Sequence, residues 1–186
     1  ISGAHLNPAV TIALASLGTI SWAIVPHYIA AQIAGGFLGG IVVWLAYLPH
    51  WKETTDQGSK LAVFCTGPAI RAPGPNIVSE AIGTFALVLG ILAVLSPNNL
   101  VPGSDLAKGL SPLLVGAIVM GIGLSLGGAT GYAINPARDL GPRIAHAVLP
   151  IAGKGGSDWG YAWVPVVGPI IGGLLGALAY NLLWQP

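Results

Sequence analysis

Four long apolar runs dominate the chain and are separated by polar stretches. Trp22 to Leu48 holds no Lys, Arg, Asp or Glu over 27 residues, more than the roughly 20 a helix needs to cross a bilayer. Ile77 to Leu95, Ser111 to Gly128 and Ala162 to Trp184 read as three further spans, and Glu80 is the one charge in the first of these three. Trp22, Tyr28, Trp44, Tyr47 and Trp51 flank the first span as interfacial anchors, and Trp159, Trp163 and Trp184 are read in the same way. Glycines at helical spacing (Gly35, Gly36, Gly39 and Gly40; Gly123 and Gly127; Gly168, Gly172 and Gly176) predict faces on which a neighbouring helix comes close.

Two apolar runs are too short to cross. Pro8 to Leu17 has 10 residues and stops at Gly18. Pro136 to Leu149 is interrupted by Gly141-Pro142 and carries Arg138, Asp139, Arg143 and His146. The same motif leads into each run: Ser2-Gly3-Ala4-His5-Leu6-Asn7-Pro8-Ala9 and Thr130-Gly131-Tyr132-Ala133-Ile134-Asn135-Pro136-Ala137. Asn as the cap and Pro at the first helical position specify a helix N-terminus. Residues 49–76, with His50, Lys52, Glu53, Asp56, Lys60 and Arg71, read as a long aqueous loop. The segments 96–110, with Asp105 and Lys108, and 150–161 read as two more.

Composition agrees with this pattern. Hydrophobic residues are 54% and charged residues 7% of the 186, against about 25% charge in soluble domains, and the mean hydropathy is +0.78. An all-α multi-pass membrane protein is predicted, placed in the cell membrane. A net charge of +1 leaves no footprint for nucleic acid. Cys65 is single, so no intrachain disulfide forms, and no cleavable signal peptide is recognised at the start. His27, His50 and His146 lack metal-ligand spacing, and there is no Ser/His/Asp grouping or phosphate loop. No catalysis and no cofactor are therefore expected.

The motifs lie 128 residues apart, from Asn7 to Asn135, and short segments at matching places in two halves mark an internally repeated membrane protein. The chain reads as one transmembrane domain over 1–186. Residues 1–48 are the remainder of a first repeat, 49–76 the inter-repeat loop and 77–186 a second repeat. The second repeat has two spans before its motif and the first shows none. A counterpart of Glu80 would fall upstream of Ile1, so the chain as given is expected to lack two N-terminal spans. The flanking charges are few and mixed and give no orientation.

Three spans and one half-helix per repeat reverse the second half relative to the first, so the half-helix N-termini face each other near the midplane. Each carries about half a positive charge, which repels cations, while Asn7 and Asn135 offer N–H donors to a neutral solute. The carbonyls of Gly3, Ala4, His5 and Leu6, and of Gly131, Tyr132, Ala133 and Ile134, lie in non-helical backbone at membrane depth, where they line a cavity or are buried in protein. Glu80 reads as a brace for loop backbone, because a pore carboxylate would attract cations. Gln32 faces either a helix interface or the first motif. Asp139 and Arg143, one turn apart, pair with each other or with loop backbone.

The duplicated Asn-Pro-Ala, the Ser-Gly-Ala-His-Leu lead-in and the run Asn135-Pro136-Ala137-Arg138-Asp139-Leu140-Gly141-Pro142-Arg143 resemble the aquaporin and glycerol facilitator family. The resemblance implies six spans plus two half-helices, a pore in every protomer, and homotetramers in the membrane. Asp139 and Arg143, with Pro165 and Val166 in the last span, are similar to the glycerol-conducting branch. The same resemblance makes Arg138, Tyr132 and Gly123 three of the four filter residues. Tyr132 departs from the Phe common there, and the fourth filter residue belongs to a missing span. The expected function is passive conduction of glycerol, water and other small uncharged solutes. A strict water channel, a secondary carrier built on inverted repeats and a non-conducting structural membrane protein are the alternatives.

Overall fold

The structure, a computed structural model, describes residues 3–97, 99 and 104–184. Ser2 of the first motif lies outside the described residues. The described residues form helices and no strand: α1 Pro8–Ser16, a 3₁₀ turn Trp22–Ile24, α2 Val25–Ala46, α3 His50–Glu53, α4 Gln57–Ala62, α5 Pro73–Val94, α6 Asp105–Thr130, α7 Pro136–Val148 and α8 Val164–Trp184. Four segments are long and apolar enough to cross a membrane: Trp22–Ala46, Pro73–Val94, Lys108–Thr130 and Val164–Trp184. α1 and α7 are half-length.

Three expectations need correction. The stretch 49–76 is not one loop, since it contains α3 and α4 and the first turn of α5. Asp56 caps α4 by accepting a 2.6 Å hydrogen bond from the Ser59 amide. The loop expected to run to residue 110 gives way to helix at Asp105, because polar residues in the first turns extend a helix past the apolar layer without ending it. Trp51 is no interfacial anchor. It is 5% exposed and packs with Phe64, Ala145 and Ile151, and its Nε1 donates to the Trp44 carbonyl at 2.9 Å. Trp22, Trp159, Trp163 and Trp184 are exposed.

The helices interlock across the two halves. α8 lies along α5, but it also covers α1 of the other half, and α2 covers α7. Glycine makes both crossings close. A Cβ on Gly172 would stand against the Ala81 carbonyl of α5, and one on Gly168 would come within 2.6 Å of the Glu80 Cβ. One on Gly173 would meet the Ala9 carbonyl of α1 at 3.0 Å. On the other side, Gly141 of α7 leaves room for the α2 backbone, where its Cβ would stand 2.7 Å from the Ile33 carbonyl. Gly36 and Gly40 face α7, whereas Cβ atoms on Gly35 and Gly39 would meet nothing within 4 Å. Gly172→Ala is expected to destabilise the protein by about 1–3 kcal/mol, the usual cost of overpacking. Thermal unfolding in detergent measures it, and an unchanged midpoint would show that α5 and α8 part freely.

Candidate functional site

Both half-helices start as the motif dictates. Asn7 and Asn135 have extended backbone, with φ of −143° and −156°. The Asn7 Oδ1 accepts from the Ala9 amide at 2.9 Å, and the Asn135 Oδ1 accepts from the Ala137 and Arg138 amides at 3.0 and 3.2 Å. With each oxygen committed to its cap, only the amide nitrogens remain to donate. Each ties the opposite loop: the Asn7 Nδ2 donates to the Ile134 carbonyl at 2.7 Å, and the Asn135 Nδ2 to the Leu6 carbonyl at 2.9 Å. One N–H on each side chain is thus structural and one is left over.

The loops before the caps are turned by left-handed residues. Gly3 and Ala4 have φ of +69° and +54°, and Gly131, Tyr132 and Ile134 have +76°, +40° and +43°. A β-branched residue in this region is strained, by about 1–3 kcal/mol, and needs its surroundings to hold it there. Ile134 is held at three points. Its amide donates to the Glu80 Oε2 at 2.7 Å, its carbonyl accepts from Asn7, and its side chain packs with Leu87 and Ile122. The Ala133 amide donates to the Glu80 Oε1 at 2.9 Å. Glu80 is 1% exposed, so its carboxylate faces loop amides rather than open space.

The first loop is held from α2. The Gln32 Nε2 donates to the His5 carbonyl at 2.6 Å and to the Thr11 Oγ1 at 2.9 Å, which places Gln32 against the first motif. The carbonyls of His5, Leu6 and Ile134 therefore each accept one hydrogen bond already, and a second lone pair on each stays open. The His5 imidazole tilts against Tyr28, with ring centroids 5.2 Å apart.

Asp139 and Arg143 are fully buried and pair with each other. The Arg143 Nε donates to the Asp139 Oδ1 at 2.8 Å and its Nη2 to the Oδ2 at 2.9 Å. The Arg143 Nη1 donates to the carbonyls of Ser157 and Asp158 at 2.8 and 3.0 Å, and its Nη2 also to that of Thr66 at 2.9 Å. The Asp139 Oδ2 accepts from the Thr66 amide and hydroxyl at 2.8 and 2.7 Å. All the guanidinium protons are thereby used. Two lysines complete the clamp on the 150–158 loop. The Lys154 ammonium donates to the carbonyls of His146, Ala147 and Leu149 at 2.6, 2.8 and 2.7 Å, capping the C-terminus of α7, and Lys60 donates to that of Ala152 at 2.5 Å. Burial lowers the Lys154 pKa, and burial pushes the Cys65 thiol, next to Thr66, up to about 12.

Sequence reasoning passed over Thr66 and Lys154, and read Lys60 only as a charge of an aqueous loop. Lys154 had a readable signal, a lone cation between glycines shortly after a helix end. Thr66 had none, since its partner is 73 residues away. Pro165 is buried and, like Val166, lies in the first turn of α8, and neither borders the cavities described next.

Two cavities meet at Leu6, Asn135 and Arg138, which border both. The larger, about 620 Å³, opens between the first motif and the α2 residues Tyr28, Gln32 and Gly36. The smaller, about 310 Å³, has a polar side of Asn7, Asn135, Arg138 and Tyr132 and an aliphatic side of Val10, Leu87, Ile91, Val115 and Val119. The Tyr132 ring lies on Gly123 and Gly127, where Cβ atoms would come within 3.0 and 2.9 Å of it. At Gly123 the missing side chain makes room for Tyr132.

A buried carboxylate aimed at loop amides, two capping asparagines tied crosswise and a mostly apolar cavity with a few polar groups between facing helix N-termini coincide with a sequence match. The profile described as Major intrinsic protein covers residues 1–180. The chain belongs to the major intrinsic protein family. Among relatives in this family, it is 61% identical over 184 residues to a probable glycerol uptake facilitator protein of Thermotoga maritima, covering 99% of this chain and 76% of that one. It is 60% identical over 185 residues to a glycerol uptake facilitator protein of Bacillus subtilis, covering 100% of this chain and 65% of the other. Among solved structures, the aquaglyceroporin from Plasmodium falciparum superposes with a TM-score of 0.85 at 33% identity, covering all of this chain and 74% of that one. With its four apolar helices, this major intrinsic protein is a multi-pass membrane protein.

Proposed function

We propose that the protein is a passive channel for glycerol and other small uncharged solutes, with water passing as well, and that it assembles as a homotetramer in the cell membrane. The observation that carries the reading is the two-sided cavity between the half-helix N-termini. A polyol carries hydroxyls on a short carbon chain. Arg138 and the spare N–H groups of Asn7 and Asn135 donate to its oxygens. The open lone pairs on the loop carbonyls of Gly3, Ala4, His5 and Leu6, and of Gly131, Ala133 and Ile134, accept hydrogen bonds from its hydroxyls. Its carbons lie against the aliphatic side. Fixed hydrogen bonds thus replace solvation without a coupling reaction. The two helix dipoles and the Arg138 charge make the same point hostile to cations.

Asn7 and Asn135 are the pore asparagines in this reading. Arg138, Tyr132 and Gly123 form the filter, Glu80 braces the second loop, and Asp139, Arg143, Pro165 and Val166 support the frame as features of the glycerol branch. The repeat division is 1–48, 49–76 and 77–186. The relatives named for glycerol uptake support this over strict water selectivity. Proteoliposomes of the full-length natural protein, given an inward glycerol gradient, are expected to reswell faster than protein-free vesicles, with a rate linear in concentration and indifferent to proton or sodium gradients. Water flux without glycerol flux would replace this reading by the strict water channel, and saturation or ion dependence would replace it by a carrier.

A further inference from the structure

We propose that His146 is an acid-sensitive latch on the 150–158 loop, through which the second half-helix and its motif are loosened at low pH, an inference about regulation that rests on the channel reading above. Conduction assigns this side chain no task. Its ring is fully buried near the C-terminus of α7. The Nδ1 stands 2.9 Å from the Ser157 Oγ, while the Nε2 is buried without a hydrogen-bond partner. The Phe64 ring meets the imidazole edge-on, with centroids 5.4 Å apart. A neutral imidazole has one N–H and one bare nitrogen. With the N–H at Nδ1 facing Ser157, the bare Nε2 needs no donor of its own to give away. A second proton, placed on Nε2, would be a buried charge with no acceptor.

The charges around the ring favour its neutral form. On α7 itself, Arg143 donates to the Ser157 carbonyl, so guanidinium and imidazole hold the same residue. From the loop, the Lys154 ammonium sits 2.6 Å from the carbonyl of His146. On α4, Lys60 is a third cation, bonded to the Ala152 carbonyl of that loop. The carboxylates of the region are committed elsewhere, Asp139 to Arg143 and Thr66 and Asp158 to Arg71. The Cys65 thiol and the Tyr161 phenol, both pushed up to about 12 by burial, supply no charge. A proton on His146 therefore adds a cation among cations with no counter-ion in place, and letting the loop out to water relieves it.

Opening carries inward to the motif. It withdraws the Ser157 and Asp158 carbonyls from Arg143 and the Lys154 ammonium from the end of α7. Arg143 and Asp139 also hold Thr66, whose Cβ and Cγ2 lie 3.4 Å from where a Cβ on Gly131 would stand. Gly131 is the residue that turns the second loop. An imidazole freed into water titrates near 6.5. The closed loop thus has its full stability above about pH 6.5 and loses it as the pH falls, by up to about tenfold in the closed-to-open ratio per pH unit.

The test uses the full-length protein in proteoliposomes, with glycerol reswelling read at about pH 7.5 and about pH 5.5 on both sides of the membrane, either side of the free imidazole value. Glycerol does not titrate in this range. Wild-type permeability is expected to fall about two- to tenfold at the lower pH and to recover on return. His146→Asn keeps a polar partner for Ser157 but cannot titrate, and it is expected to conduct equally at both. Hydrogen exchange on wild-type protein reads the latch itself: amides of residues 150–161 should lose protection beyond the intrinsic pH effect, while those of α5 and α8 keep theirs. Equal wild-type permeability at both pH values, or a drop that His146→Asn retains, overturns the latch. Unchanged protection of 150–161 overturns it too, and that measurement needs no variant to fold. Wild-type protein no more permeable than protein-free vesicles at the higher pH overturns the channel reading instead, and exchange then still decides whether acid opens the loop.

Discussion

Glu80→Ala is expected to bring glycerol permeability down to that of protein-free vesicles and to lower the thermal midpoint of the purified protein. The carboxylate is the acceptor for two consecutive loop amides, those of Ala133 and Ile134. Removing it leaves two buried N–H groups without partners, each at a cost of about 1–3 kcal/mol. It also releases Ile134 from the left-handed conformation that the Glu80 and Asn7 bonds impose from either side. The relaxed residue would withdraw the carbonyl that anchors Asn7, so damage on the second loop spreads to the first cap. Glu80→Gln keeps the shape and one acceptor oxygen but sets an NH₂ group against the other amide, and an intermediate loss is expected. Stopped-flow permeability and thermal unfolding on the same preparations check both variants. An alanine variant as permeable as wild type would show that the loop holds itself.

Arg143→Met is expected to destabilise the folded protein by about 3–5 kcal/mol, the cost of stranding one partner of a buried ion pair. Its guanidinium joins α7 to the Thr66 segment and to the 150–158 loop, and nothing else in the clamp reaches all three. Arg143→Lys keeps the charge but has no planar fork, so it cannot serve Asp139 through two nitrogens while reaching three carbonyls, and most of the loss should remain. The double variant Asp139→Asn with Arg143→Met is expected to lose less than the two single variants added together, because no unpaired charge stays buried. Thermal unfolding in detergent gives all three comparisons. Strict additivity would mean that the pair contributes no coupling.

The two motifs were the most legible part of the chain. An Asn-Pro pair at a helix start is a local device, and the short motif around it suffices to specify both the cap and the first turn. The spans were legible for a similar reason, since a run without charges is a property of neighbours in sequence. What the sequence hid was long-range. Trp51 looks like a membrane anchor until Phe64 and Ile151 close over it. Thr66 is an ordinary threonine until Asp139 arrives from α7. Gly123 is an ordinary helix glycine until the ring of Tyr132 settles on it, because Gly131 and Tyr132 turn the chain back. The extra helical turns at Asp105 were hidden for the opposite reason, because polar composition at a helix end and in a loop is the same.

The interlocking of the halves has a consequence in time. Gly173 must be made before α8 can close on Ala9, and the two are separated by 164 residues. At a synthesis rate of about 5–20 residues per second, that is on the order of ten to thirty seconds. During this interval α1, too short to anchor itself across a bilayer, has no α8 to rest against. A slow codon stretch or a stalled ribosome between the two lengthens that wait, and the emerging chain would be most open to membrane proteases during it.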